Sequence, residues 1–354
     1  MKSRNLNMKI KIGNFEISKS SKVFIIAELS ANHNQKLDIA VETIKAAKRA
    51  GADCIKLQTY TADTLTIDSN KDDFVIKETI WSGKNYYNLY QQAFTPWEWH
   101  NRLFEVAKEE GLICFSSPFD KSSVDFLENF SVPAYKIASF EITDIPLIEY
   151  VASKGKPMII STGIATLEDI ELAIETCKRM GNNQISLLKC TSSYPAPVDE
   201  ANLSMIKHIS DKFNVITGLS DHTIGSTVPI VASVFGAKII EKHFILDRSL
   251  GGPDSSFSLN EHEFKSMVKS IREAEKSIGK INFELTKKQK KGRNFSRSLY
   301  VVEDVKKGDI ITEKNVKSIR PGFGLHPKYL PEILGGKFVK DTEKGERFNL
   351  NLIE

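Results

Sequence analysis

Eight short apolar runs, each followed by an amphipathic or small-residue segment, constrain this chain more than any other feature. The runs span 23–28, 54–59, 113–117, 134–139, 157–162, 185–190, 214–219 and 237–243. Between them lie segments such as 38–50, 96–110, 167–180 and 261–278, where apolar residues recur at steps of three and four. That period belongs to a helix with one buried face. Gly51, Gly111, Gly155, Gly181 and Gly236 stand where such helices should stop. Strands joined by helical crossovers pair in parallel, so eight units in succession predict an α/β fold, a closed (β/α)8 TIM barrel. An open doubly wound sheet is the alternative, but no GxGxxG follows the first strand. A hairpin-like stretch, 9–17, precedes the first unit.

The texture changes after Gly279. A polar, basic stretch, 285–293, is followed from Phe295 by short alternating runs and turn signals such as Lys-Lys-Gly-Asp and Leu-Gly-Gly. The expected organisation is a barrel over 1–280, a linker over 281–294 and a small β-rich domain over 295–354. A run of this kind is read as a solvated connector, with contact to phosphates as the alternative.

Bulk properties exclude several classes. The 49 basic and 45 acidic residues of the 354 leave a net charge of +4, too weak to argue for nucleic acid. No apolar run reaches membrane-spanning length and the first residues lack a signal-peptide core, so a cytoplasmic protein without membrane association is expected. The four cysteines form no CxxC pair and read as reduced core thiols, including Cys190 beside a polar strand end.

In a barrel of this kind chemistry sits at the carboxyl ends of the strands, and here those ends are polar. The first delivers Glu28, Ser30, Asn32 and His33, the second Lys56 and Gln58, and the third Ser116 and Ser117. The fourth gives Lys136 and Ser139, the fifth Ser161 and Thr162, and the sixth Lys189, Ser192 and Tyr194. Strands seven and eight bring Ser220, Asp221, His222, Lys242 and His243. Lys56 and Lys136 alternate with apolar neighbours in the strand period of two, so both should face the interior. A lysine there is costly unless it meets an anion. Two of them among serines suggest a small polyanion such as a phosphate-bearing carboxylate. Structural ion pairs with Glu28 or Asp221 are the alternative. His222 and His243, at the ends of neighbouring strands, can share a divalent metal.

These stretches resemble the nonulosonic (sialic) acid synthases. The resemblance runs through 26–34, 50–59, 135–143, 161–163, 189–195, 218–223 and 241–244, and the C-terminal part resembles their antifreeze-protein-like (SAF) module through Arg-Pro-Gly-Phe-Gly at 320–324. It implies condensation of phosphoenolpyruvate with an open-chain N-acetylated amino sugar. It makes His222 and His243 ligands of Mn²⁺, with Mg²⁺ or Co²⁺ possible, and Glu28 the acid/base group. Lys56, Lys136, Ser139, Ser161 and Ser220 would hold phosphoenolpyruvate. Ser192 stands where the bacterial sialic acid synthases place an asparagine on that substrate, a departure from the pattern. Gln58, Tyr194 and Asp254 would lie near the substrates, and Arg320 would reach from the small domain into a partner's barrel across a swapped homodimer.

Within the family, 89–100 and 246–259 look like the branch that makes pseudaminate from 2,4-diacetamido-2,4,6-trideoxy-L-altrose. Phe257 in the second stretch would sit by the methyl of a 6-deoxy acceptor, while Trp97 and Trp99 read equally as helix packing. A legionaminic or N-acetylneuraminic acid synthase shares the chemistry. A non-catalytic carbohydrate-binding protein and a metal-dependent DNA-repair barrel are the rivals of other classes.

Overall fold

The computed structural model describes residues 8–77 and 79–354, which divide into two compact units meeting at Gly279 and Lys280. In the first unit a hairpin, β1 (Lys9–Ile12) and β2 (Phe15–Ser18), precedes eight parallel strands. These are β3 (Phe24–Glu28), β4 (Cys54–Thr59), β5 (Ile113–Pro118) and β6 (Tyr135–Ile137), then β7 (Met158–Ser161), β8 (Ile185–Cys190), β9 (Ile216–Asp221) and β10 (Ile239–His243). They pair in chain order, and β10 returns to β3, closing the barrel. The expected (β/α)8 architecture is the one found.

Alternation sorts the strand residues into two layers. Ile25, Ala27, Ile55, Leu57, Leu219 and Ile240 pack outward on helix residues such as Ile44, Leu103, Met267 and Ile271. Phe24, Ile26, Cys54, Phe115, Ile159 and Ile239 face the interior, in one core with Ile10, Ile12 and Ile17 of the hairpin. Several of these open their strands, so the hairpin packs at the amino-terminal end of the barrel. The opposite end is left for polar residues.

Two departures from the sequence reading have local causes. β9 starts at Ile216 rather than 214 because Asn214 ends the preceding helix Ser204–Phe213 in the left-handed region, at φ 53°. Asn is one of the few side chains that tolerates this conformation, and the shift carries Ser220 and Asp221 into the strand. Residues 60–112, between β4 and β5, hold more than the one helix expected at 96–110. Short helices Ala62–Leu65 and Tyr86–Ala93 come first, and the main helix, His100–Glu109, opens through a tight turn at Trp97–Trp99.

The second unit is built on an antiparallel pair, β11 (Ser298–Val301) and β12 (Val316–Ile319), with isolated bridges such as Val305–Thr342 and Phe338–Ile353. Its core gathers Leu299, Val301, Ile311, Val316, Phe338 and Phe348. The basic stretch read as a connector contains an exposed helix, Lys287–Gly292, capped by Thr286 and Gln289. Among the described residues, no helix is long and apolar enough to cross a membrane.

Candidate active site

Strand register alone brings the first charged groups together. Lys56 on β4 stands opposite Glu28 on β3, Glu28 opposite His243 on β10, and Glu241 on β10 opposite Ser220 on β9. All of these side chains face the interior at the carboxyl end and are at most 8% exposed.

The result is a buried network of two lysines and two glutamates. Lys56 pairs with Glu28 and donates to Ser117 Oγ at 3.2 Å. Its Nζ lies 3.8 Å from Glu241 Oε1, and Lys136 Nζ lies 3.2 Å from the same oxygen. Ser220 Oγ donates to it at 3.0 Å. Gln58 Nε2 donates to Glu28 Oε1 at 3.0 Å. Burial raises both carboxyls, but Lys136 and Lys56 pull Glu241 back below the ordinary range. Glu28 keeps the burial effect despite Lys56 and is pushed up to about 7, with the Glu241 charge adding to it. Two carboxylates in one pocket have thus been driven apart: Glu241 holds the charge and Glu28 holds a proton near neutrality.

Serines line the next part of the mouth. Ser192 Oγ donates to Ser139 Oγ at 2.7 Å, and Ser139 Oγ accepts from the Ile164 amide at 3.1 Å. A Cβ on Gly163 would come within 2.2 Å of Ser192 Oγ and 2.6 Å of Ser139 Oγ, so only glycine lets the two hydroxyls meet there. Several buried polar atoms without a hydrogen-bond partner collect in this region: Ser161 Oγ, Glu141 Oε2, Glu241 Oε2 and His243 Nδ1. Such groups cost about 1–3 kcal/mol each unless a ligand satisfies them.

The two imidazoles face one another with ring centroids 5.3 Å apart. His222 Nδ1 lies 3.0 Å from the Thr191 carbonyl, so that nitrogen carries the hydrogen and Nε2 keeps its lone pair. His243 Nδ1 has Asp254 Oδ2 at 3.6 Å. Burial above all, with Lys56 and Lys242 among the nearby positive charges, holds His243 well below its ordinary range, in the neutral form that binds metals. The pair therefore fits a divalent cation. Among the described residues, no group of three or more His, Cys, Asp or Glu gathers in metal-binding geometry. An ion on these two nitrogens would leave its other positions to substrate and water.

A cavity of about 920 Å³ opens onto this set. Gln58, Ser192, Tyr194, His243 and Asp254 line one part of it. Ser30 Oγ donates to Asp254 Oδ2, while burial raises that carboxyl's pKa. Tyr194 packs on His222 with centroids 4.4 Å apart. Of the residues expected in the site, Arg320 alone belongs to the second unit, where it is exposed just after β12.

The structure corrects one expectation and realises particular alternatives of others. Phe257 does not line the cavity; it is buried behind His243, Tyr194 and His222 and supports the imidazoles. Lys242 and Asp221 form a buried ion pair with the Thr223 carbonyl and hydroxyl, which is the structural alternative realised. Trp97 stacks on Phe126 and Trp99 sits edge-on to His33, so both are packing residues. Cys190 is buried as expected, yet its thiol lies 3.8 Å from His222 Nδ1, in the wall of the site. Three site residues were missed. Glu241 carried the strand period that singled out Lys56, and Glu141 follows Ser139 by two residues; its buried carboxyl lines the cavity and is raised to about 7 by burial. Trp81 gave no signal at all.

Comparison with known proteins matches this architecture throughout. The NeuB family profile matches residues 43–283 and the SAF domain profile residues 296–348. The chain belongs to the NeuB family. Relatives in the family include a pseudaminic acid synthase of Campylobacter jejuni, 51% identical over 337 residues, covering 95% of this chain and 98% of that one. The pseudaminic acid synthase of Helicobacter pylori is 50% identical, covering 89% and 93%. The N,N'-diacetyllegionaminic acid synthase of Legionella pneumophila is 37% identical, covering 91% and 92%. Among solved structures, the N-acetylneuraminic acid synthetase of Leptospira borgpetersenii, in complex with citrate, superposes with a TM-score of 0.72 at 32% identity, covering 81% and 95%.

Proposed function

We propose that this chain is a pseudaminic acid synthase, a transferase that condenses phosphoenolpyruvate with 2,4-diacetamido-2,4,6-trideoxy-L-altrose to give pseudaminate and phosphate. The observation that carries the reading is its near-full-length 50–51% identity to pseudaminic acid synthases, against 36–37% for diacetyllegionaminic acid synthases. The charged interior supplies the chemistry. Lys56 and Lys136, with Ser139, Ser161, Ser192 and Ser220, are the anion-holding groups for phosphate and carboxylate. His222 and His243 would hold a divalent cation, Mn²⁺ in our reading. When bound, the ion supplies Lewis-acid polarisation of the sugar's aldehyde oxygen.

The proton balance falls to Glu28. As the C3 carbon of phosphoenolpyruvate bonds to the aldehyde carbon, the aldehyde oxygen needs one proton. When water then adds to C2, one proton must leave. Protonated Glu28 can give the first and take back the second. Phosphate departs by cleavage of the C2–O bond as the C2 hydroxyl becomes the ketone, and that hydroxyl's proton leaves with the phosphate. Asp254 and Gln58 orient the acceptor's hydroxyl and carbonyl groups.

Phosphate release from phosphoenolpyruvate, measured with a panel of sugars, tests the assignment. At least about a tenfold preference in kcat/KM is expected for the altrose-configured diacetamido sugar over N-acetylmannosamine. Equal use of both, or preference for a mannose-configured diacetamido sugar, would reassign the acceptor and leave the chemistry standing. We further infer a cytoplasmic homodimer in which Arg320 serves the partner's barrel. Sedimentation at micromolar concentration checks this, and a monomer there would overturn it.

A further inference from the structure

Trp81 lies in the segment between β4 and β5, far along the chain from both histidines, yet it is built into the cavity wall. Its indole Nε1 donates to the Pro253 carbonyl at 3.0 Å. Pro253 precedes Asp254, so the bond ties the β4–β5 segment to the loop that holds the buried carboxylate. The indole ring lies 5.7 Å from Tyr194, tilted by 49°, and Tyr194 in turn packs on His222. Around Trp81, the same segment contributes Ile76, Tyr86, Leu89 and Tyr90 to the cavity. The charged and most polar lining comes from elsewhere in the barrel, Gln58, Glu141, Ser192, His243 and Asp254, beside the apolar Phe119 and Phe140.

A cavity whose aromatic lining comes mainly from one segment and whose charged lining comes from others selects ligands that carry both kinds of group. A polyhydroxylated sugar would strand hydroxyls against the aromatic side, whereas methyl-bearing groups lose nothing there. We propose that Trp81 is a specificity-determining residue: its indole latches the β4–β5 segment onto the Pro253 loop and, with Tyr86 and Tyr90, forms the wall that receives the methyl-bearing groups of an acylated deoxy sugar. The proposal rests on the synthase reading above and goes beyond it by assigning acceptor choice to a segment outside the strand ends. Indole suits the position because it offers a flat apolar face and a single N–H donor at its rim.

Steady-state phosphate release separates the possibilities, with the diacetamido sugar and N-acetylmannosamine as acceptors. Trp81→Phe keeps the aromatic face and loses the N–H; the KM for the diacetamido sugar should rise severalfold with kcat nearly unchanged. Trp81→Ala loses both, and kcat/KM for that sugar should fall about tenfold or more. N-acetylmannosamine should lose little, so the ratio between the two sugars narrows. The KM for phosphoenolpyruvate should stay within about twofold, because its anion-holding groups lie outside the β4–β5 segment. A parallel fall for both sugars, or a matching rise in the KM for phosphoenolpyruvate, would overturn the inference. Thermal melting of both variants distinguishes a lost wall from a lost fold. A wild-type chain that releases phosphate with neither sugar would overturn the synthase reading itself, a result unlike any expected from the Trp81 variants alone.

Discussion

Glu28→Gln should lower kcat by about 10²–10⁴-fold while leaving phosphoenolpyruvate binding largely intact. The substitution keeps the shape of the side chain and its contact with Gln58, but it removes the titrating proton. Glu28 is ionised in water above a pKa of 4.5 and in this site only above about 7. If the protonated form starts the reaction, wild-type activity is full below that value and is lost as pH rises through it. The kcat/KM profile should therefore show a basic limb near pH 7, and the Gln variant should lack it. Measuring both profiles over pH 5.5–9 decides the matter. A wild-type limb on the acid side instead would make Glu28 a base from the outset, and an unaltered limb in the variant would assign the titration to another group.

Chelation should abolish phosphate release, and Mn²⁺ should restore it to the wild type but not to His222→Ala or His243→Ala. Loss of an outer partner of a metal ligand already costs about 10–100-fold, so loss of one of only two imidazoles should cost at least about 100-fold. Phe257 and Tyr194 pack against His243 and His222 and hold the two rings in place. Desalted wild type should retain bound manganese by elemental analysis, and the two variants should not. Metal-free His222→Ala at full activity would remove the ion from the reaction. A melting temperature near that of wild type confirms that the fold survives the substitution.

The barrel was legible because its signal is periodic. Eight alternations of apolar run and amphipathic segment leave few ways to bury both faces of a parallel sheet, and Lys56, Lys136, Glu28 and His243 announced themselves by interrupting that pattern. The same logic reached Glu241 without recognising it. A glutamate two residues before a histidine on one strand faces the same side, and the register with Ser220 follows. Trp81 was out of reach because it lies between the short helices Ala62–Leu65 and Tyr86–Ala93, ahead of the periodic stretch at 96–110. Its position depends on long-range bonds such as that to Pro253, which leave no periodic trace. Phe257 shows the converse error: its place in the segment after the last strand was right, but packing behind His243, rather than exposure to the cavity, determines what it does.

The pairing of β10 with β3 joins residues more than two hundred positions apart, and the chemistry lies across that seam. Glu28 and Lys56 come from the first half of the barrel, Glu241 and His243 from its final strand. A chain halted before Ile239 would carry both interior lysines and Glu28 but lack Glu241, the carboxylate that holds the countercharge, and would have only one of the two facing imidazoles. The last strand therefore completes the hydrogen-bonded ring, the internal charge balance and the reactive centre in one event. Competence is acquired at ring closure and not before it, so no partly formed barrel can act as a slower version of the finished one.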